Sequence, residues 1–294
     1  MWKSIILVLL GGASYGILST FVKLAYREGY TVDQVIGSQM LYGALLLWCI
    51  ALPLSRWSFN LRQWLALGLI GCFTASTGML YYAALQFIPA SFAILLLFQF
   101  TWIGVLIDSI WSRKLPAKST YLSLVFLLLG TFLAGGILEG NIEFHIWGTL
   151  LGLLAAVSYS FFILLSGKIK SSLPSVSRSA VTVTGGLLLA WIVFGPAYLW
   201  DGSLASPLSF YGLLLGLFGM VIPTLFYAIG VARIGGTLAS ILSAAELPVA
   251  VLMSTIVLKE HVSLLQWIGV LLILFGVAFP QRVWRRRKTA QGTS

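Results

Sequence analysis

Apolar residues run through this 294-residue chain in long unbroken stretches rather than in alternation. A helix that crosses a bilayer needs roughly 20 such residues. Ten stretches qualify, at 4–22, 34–54, 63–87, 90–111, 119–138, 146–166, 178–199, 208–231, 236–257 and 263–281. A membrane β-barrel would instead show short segments of alternating polarity, and that pattern is absent. The first stretch follows Met1-Trp2-Lys3 and has the outline of a signal peptide. It is longer than an ordinary h-region and has a counterpart in the sixth stretch, so it reads as a retained span. The short joints leave no room for a domain outside the bilayer. Whatever the chain does, it does inside the membrane.

The pattern is also written twice. Leu80-Tyr81-Tyr82-Ala83 aligns with Leu225-Phe226-Tyr227-Ala228, and 93–130 aligns with 239–276 after a one-residue gap. Upstream, Ser14-Tyr15 answers Ser158-Tyr159. Each half holds five spans, and an odd count makes the second half enter the membrane upside down. Two inverted repeats are a transporter architecture, with the substrate site between them near the bilayer midplane. The expected organisation is a first repeat over 1–139, a second over 140–281 and a basic tail over 282–294. The fold class is therefore all-α integral membrane, with ten transmembrane helices.

Charge orients these spans. Only 9% of residues are charged, yet the net charge is +10. Fifteen of the 18 basic residues fall on one side of a ten-span arrangement, including Lys3, Arg62, Arg113, Lys114, Arg178, Arg233 and the run Arg285-Arg286-Arg287-Lys288. Lys23, Arg27 and Lys259 fall on the other side, with Glu28, Asp33, Glu139, Glu143, Asp201 and Glu260. Asp108 is the inner exception. The positive-inside rule places both termini in the cytoplasm. The basic tail then meets anionic lipid, and nucleic acid is not an expected partner. The repeat carries its own check. Arg113-Lys114 in the first half aligns with Lys259-Glu260 in the second, so one position is basic inside and nearly neutral outside.

A family resemblance rests on Glu246-Leu247-Pro248, on Leu258-Lys259-Glu260-His261-Val262-Ser263-Leu264-Leu265-Gln266-Trp267-Ile268-Gly269 and on Leu272-Ile273-Leu274-Phe275-Gly276. These segments resemble the last two helices of an EamA-type domain of the drug/metabolite transporter superfamily. The resemblance covers nearly the whole chain as two five-helix halves. It implies ten helices and the transport, usually export, of small metabolites. The first half departs from it, with Phe100-Thr101-Trp102 where the second has Glu246-Leu247-Pro248. The halves therefore differ in binding chemistry.

Glu246 is the sharpest candidate for that chemistry. It lies about ten residues into the ninth stretch, ~15 Å at 1.5 Å per residue, close to the midplane. A carboxylate there costs a few kcal/mol and usually faces a cavity. Pro248 removes a backbone donor two residues later and frees carbonyls in the preceding turn. Glu246 is expected to bind a substrate amine or couple a proton; the alternative is a carboxyl hydrogen-bonded to the freed carbonyls. Tyr15, Tyr82, Tyr159 and Tyr227 occupy repeat-related positions, and each offers an apolar ring with a polar tip. They are expected to line a cavity or to pack with local hydrogen bonds. Gln99 and Trp102 occupy the equivalent of the Glu246 region and are candidates for substrate contact. Gln39 is expected to hydrogen-bond between helices, and Lys23 to reach outward from the first span. Gly12/Gly16, Gly148/Gly152 and Gly212/Gly216 have the spacing that lets helices approach closely.

Catalysis finds little support. Gly12-Ala13-Ser14-Tyr15-Gly16 matches the nucleophile pattern G-x-S-x-G, but it lies within a helix rather than on a strand-to-helix turn. His145 and His261 fall in distant loops. No metalloprotease or phosphate-loop motif occurs, and no cofactor is implied. Cys49 and Cys72 are read as packing residues. The expected protein is a multi-pass secondary transporter of the cytoplasmic membrane, exporting an amino acid or a related amphipathic metabolite by alternating access, with proton coupling through Glu246. The alternative is an uncoupled facilitator or a flippase for a lipid-linked substrate. A midplane acid without an arginine cluster favours cationic or zwitterionic cargo over phosphorylated sugars. Monomer and homodimer are equally compatible with the sequence.

Overall fold

The computed structural model describes residues 2–54, 60–113, 118–134, 145–168, 173–234 and 245–276. The basic tail over 282–294, Arg56, Trp57, Lys114, Glu139, Glu143 and Lys170 lie outside these residues. Every regular element among the described residues is helical. Seven segments are long and apolar enough to cross a membrane: Trp2–Arg27, Val32–Pro53, Leu61–Ala84, Ala90–Trp111, Ile146–Ser166, Ser175–Phe194 and Leu208–Tyr227. The remaining three expected spans are represented by shorter helices, Lys118–Ala134, Glu246–Ile256 and Leu264–Gly276. Large apolar side chains such as Ile110, Ile192 and Leu264 point outward. In a soluble protein so much exposed apolar surface would be a liability; on a bundle in lipid it is the expected exterior.

Several spans are interrupted where hydropathy is featureless. The first divides into α1 (Trp2–Gly16) and α2 (Leu18–Arg27) at Ile17. Gly16 explains the place of the break. A Cβ there would lie 2.6 Å from the Glu246 carbonyl oxygen and 2.9 Å from the Val249 side chain. The fourth span divides into α5 (Ala90–Leu97) and α6 (Phe100–Ser112). After α3 (Val32–Leu54), α4 (Leu61–Ala84), α7 (Lys118–Ala134), α8 (Ile146–Lys168) and α9 (Ser175–Phe194) comes α10 (Leu208–Gly216). It passes through a π turn over Leu217–Val221 into α11 (Ile222–Ile234). Such widened turns recur at functional sites. The helix α12 (Glu246–Ile256) opens on Glu246, and α13 (Leu264–Gly276) follows.

Two details carry the repeat into the backbone. The residues preceding α6 and α12, Gln99 and Ala245, are alignment partners with nearly the same torsions. The non-glycine residues in the left-handed region, Arg113 (φ 52°) and Lys259 (φ 58°), are also alignment partners. That conformation is uncommon outside glycine, so its recurrence at matched positions marks one helix ending used twice.

Glycine contacts hold the bundle together. Gly216 on α10 sits against the Gly43 backbone of α3, and Gly130 on α7 against Gly269 on α13. Gly148 and Gly152 on α8 accept Ile88 and Leu96, and Gly212 accepts Ser38 and Tyr42. The expected pairs on α8 and α10 are thus packing surfaces. In the first span Gly16 serves this way, as does Gly11, which lies under the Tyr227 ring. Lipid offers helices no hydrophobic drive to associate, so close backbone approach supplies dispersion contacts instead.

One end of the bundle is closed by polar contacts. Glu260 accepts hydrogen bonds from the Ala90 N–H (2.8 Å), the Ser91 N–H (3.0 Å) and the Ser91 hydroxyl (2.7 Å). Lys23 Nζ lies 3.9 Å from the same carboxylate. The Arg27 guanidinium donates to the Leu258 carbonyl, and the Tyr211 hydroxyl to Glu28. Lys23 therefore does not simply extend outward; it is drawn to Glu260. This end is called the Glu260 face below. The opposite end, where α8 finishes and α9 begins, is the Arg178 face. Removing the latch should be costly. Glu260→Ala strands two backbone donors and a lysine, and should cost ~2 kcal/mol. A detergent melt should show a clear fall in Tm; an unchanged Tm would contradict this account of the closure.

Candidate functional site

Most of the polar side chains buried in the bundle serve its own backbone. Ser14 donates to the Gly11 carbonyl, Ser158 to Phe73 and Ser160 to Ala156. Such bonds, local for Ser14 and Ser160 and between α8 and α4 for Ser158, satisfy hydroxyls that lipid or protein interior would otherwise leave unpaired. A cavity of about 420 Å³ lies between the helices. Its lining includes Tyr15, Tyr81, Tyr82 and Glu246. Leu18, Ile36, Met40 and Met220 give it apolar wall, and it also takes in Ser166, Ser175 and Arg178. Ser175 is exposed, so the cavity runs from mid-bundle toward the Arg178 face.

The tyrosines expected from the repeat meet here. Tyr15, Tyr82, Tyr159 and Tyr227 all line the cavity, from α1, α4, α8 and α11. Tyr82 donates to Gln39 Oε1 at 2.6 Å. Gln39 in turn donates to the Leu215 carbonyl at 3.4 Å, just before the π turn. Gln39 is therefore both the interhelical bond expected of it and part of the cavity wall. Tyr159 is held edge-on by Phe100 at 4.7 Å and stacked on Phe162 at 5.7 Å. The Tyr227 ring is seated over Gly11, where a Cβ would come within 2.9 Å of it. Aromatic walls with polar tips suit an amphipathic ligand.

Glu246 stands at the first turn of α12 and opens into the cavity. The hydroxyls of Tyr15, Tyr81 and Tyr159 lie close enough to feel its charge. Its carboxyl makes no hydrogen bond or ion pair with a described residue; the carbonyl that Pro248 frees belongs to Ala244, outside the described residues. Pro248 is the third residue of α12, where a missing N–H costs nothing because the first-turn donors lack helical acceptors. It shapes the helix start and is not part of the cavity lining. The α12 N-terminus adds a favourable field for a negative charge.

Gln99 and Trp102 lie elsewhere. Gln99 Nε2 donates to the Leu95 carbonyl and to Thr131 Oγ1, both at 2.8 Å. Trp102 Nε1 donates to Gln99 Oε1 at 2.8 Å. Neither belongs to the lining. Their polar atoms are spent on joining the break between α5 and α6 to α7. Trp102→Phe should therefore lower stability by ~1 kcal/mol and leave transport within about twofold; a loss of transport without a loss of stability would contradict that placement.

Three features escaped sequence reasoning. Tyr81 shares the cavity with its neighbour Tyr82, although a repeat alignment singles out only Tyr82 as matched by tyrosine. Arg178 is a cation at the cavity mouth rather than a simple orientation signal. Glu260 and Lys23 form a contact 237 positions apart in sequence. Of these, Arg178 alone had a signal available, in the hydroxyl-rich stretch Ser175 to Ser179 around it.

Comparison with known proteins places the chain in a family. The pattern of the EamA-like transporter family matches residues 2–136 and again 146–279. "Uncharacterized transporter YcbK" of Bacillus subtilis (strain 168) is 25% identical over 275 residues, spanning 90% of this chain and 88% of that protein. "Uncharacterized transporter YwfM" of the same organism is 26% identical over 183 residues, 61% of this chain and 60% of its own length. A solved crystal structure superposes with a TM-score of 0.64 at 19% identity, covering 95% of this chain and 98% of that one, which speaks for the fold alone. Two family matches that together span nearly the whole chain are decisive: the chain belongs to the EamA-like transporter family, a family of membrane transporters and not of enzymes.

Proposed function

We propose that this transporter is a secondary active exporter of amino acids or related amphipathic metabolites, resident in the cytoplasmic membrane and working by alternating access. In this reading the shorter helices complete ten spans, the two halves are inverted repeats, and both termini are cytoplasmic. The observation that carries it is a cavity that holds Glu246 and reaches the exposed Ser175 beside Arg178, while polar contacts join the helices at the Glu260 face. With the Arg178 face in the cytoplasm, as the positive-inside rule directs, the molecule stands open inward and closed outward. Cargo would enter past Arg178, settle among the tyrosines and leave when the repeats rock and the Glu260 latch parts.

Glu246 supplies the coupling. An unpaired carboxylate in a bundle interior is costly, and either a proton or a cationic group of the cargo relieves the cost. Competition between the two links proton entry to cargo release. Charge also speaks to the cargo. One acid and one guanidinium in the same cavity lining suit a zwitterionic molecule better than a polyanion.

Efflux tests the reading. Cells overproducing the chain are preloaded with labelled amino-acid mixtures and amphipathic toxicants, with and without a protonophore. Export above background that the protonophore abolishes is the expected result. Export indifferent to the protonophore would favour uncoupled facilitation and defeat the coupling claim.

A further inference from the structure

The hydroxyls of Ser19, Thr20 and Tyr81 are buried without a hydrogen-bond partner at good geometry among the described residues, although those of Ser19 and Tyr81 face one another. Their residues are 2%, 0% and 7% exposed. A buried hydroxyl without a partner is unfavourable, and each such group calls for an explanation. Most other serines and threonines of this bundle bond the preceding helical turn, so the omission at Ser19 and Thr20 is local. Both follow the α1–α2 break at Ile17.

These residues lie between the cavity and the closed face. Tyr81 lines the cavity with Glu246. Its hydroxyl faces that of Ser19, so the two stand as one step of a path. Along the same chain segment, Gly16 packs on the Glu246 backbone, Ser19 and Thr20 follow, and Lys23 comes next, against Glu260. Ser19 and Lys23 are four apart, hence on one helix face with a rise of ~6 Å. The order is thus Glu246, Tyr81, Ser19, then Lys23 and Glu260, with Thr20 the next residue along α2.

We propose that Ser19, Thr20 and Tyr81 hold a short water chain that passes protons between the Glu260 face and Glu246 while that face stays closed to cargo. This rests on the proton-coupled reading of Glu246. Each oxygen along the chain receives one proton and gives one up. The net event moves a single proton to the Glu246 carboxylate, with no other reactant. Waters bridging buried hydroxyls supply the missing hydrogen bonds. Cargo cannot follow, because the Glu260 carboxylate, the Ala90 and Ser91 donors and the Arg27–Leu258 contact close the face. The ionisable groups around the path are few. Tyr15 and Tyr159 face Glu246 from α1 and α8, and Tyr227 stands near Tyr159. Lys23 and Arg27 of α2 stand at the outer end with Glu260, and Tyr26 is turned to the Tyr82 carbonyl. The segment α5 contributes no charge.

The test uses the full-length protein in liposomes with the labelled amino-acid mixture as probe. Two rates are read for each variant, exchange without a gradient and uphill transport driven by a pH gradient. Thr20→Val and Ser19→Ala lie outside the cavity lining. They should keep exchange within about twofold and lose gradient-driven transport by about tenfold, a ~1.4 kcal/mol slowing of the proton step. Tyr81→Phe should lower the ratio of driven to exchange rate by a similar factor, and Thr20→Ser should restore it. Driven transport at the wild-type ratio in all three hydroxyl variants would overturn the relay, as would equal loss of both rates. Wild-type transport driven by a sodium gradient instead of a pH gradient would also overturn it. Glu246→Gln separates the two claims. If it keeps gradient drive, the coupling reading itself fails; if it loses drive while the hydroxyl variants keep theirs, only the relay fails.

Discussion

Glu246→Gln should reduce gradient-driven transport more than tenfold, at least ~1.4 kcal/mol in the coupled step, and flatten its dependence on pH. The substitution keeps the shape of the side chain and removes its ability to exchange a proton. The cavity places that group where coupling needs it: inside the bundle, in a lining shared with Tyr15, Tyr81 and Tyr159, and without an ion pair to a described residue. Folding should survive, because Glu246 makes no hydrogen bond to a described residue that the amide would break. The pairing of measurements decides the matter. Transport lost with Tm retained supports a coupling role. Transport and its pH dependence unchanged would remove Glu246 from the mechanism.

Gly71→Leu should abolish the folded protein. Gly71 lies where α4 crosses α9, in the tightest helix contact of the bundle. A Cβ at this position would fall on the Thr182 carbonyl oxygen and lie 2.8 Å from the Gly186 N–H nitrogen. Both are backbone atoms, so no side chain can swing aside. Nearby, a Cβ at Gly185 would lie 2.5 Å from Gly68. Overpacking in a well-packed core costs ~1–3 kcal/mol even where side chains can adjust, and here the helices themselves must part. Since Thr182 also lines the cavity, a separation would spread into the site. The expected result is a failure to recover monodisperse protein, with Gly71→Ala milder but still well below wild type in Tm. A Gly71→Leu protein that melts like wild type would contradict the observed crossing.

The sequence carried much of this because membranes make hydropathy informative. A backbone in lipid must satisfy its own hydrogen bonds, so each long apolar run reads as a helix. Glu246 stood out because a midplane acid is expensive, and the tyrosines because the chain repeats itself. What hydropathy does not register is where a helix breaks. Ile17 and Phe98 are as apolar as their neighbours; the breaks are set by Gly16 against Glu246 and by the Gln99 side chain returning to Leu95. Gln99 and Trp102 misled for a related reason. Polar groups in a span suggest a ligand, yet these two satisfy one another three residues apart. The Glu260 latch could not be read at all, since it joins residues 169 and 170 positions apart in a fold whose register the sequence leaves open.

The central claim is that one cavity opens to the two faces in turn. The most direct measurement labels Thr224→Cys, a cavity position on α11, in a background with Cys49 and Cys72 replaced. A membrane-impermeant thiol reagent is added to sealed vesicles of each orientation, with and without Glu260→Ala. The account predicts labelling mainly from the Arg178 face while the latch is intact. Loss of the latch should raise labelling from the Glu260 face and lower it from the Arg178 face together. Labelling from both faces at once, each unaffected by Glu260→Ala, would describe an open pore and contradict alternating access.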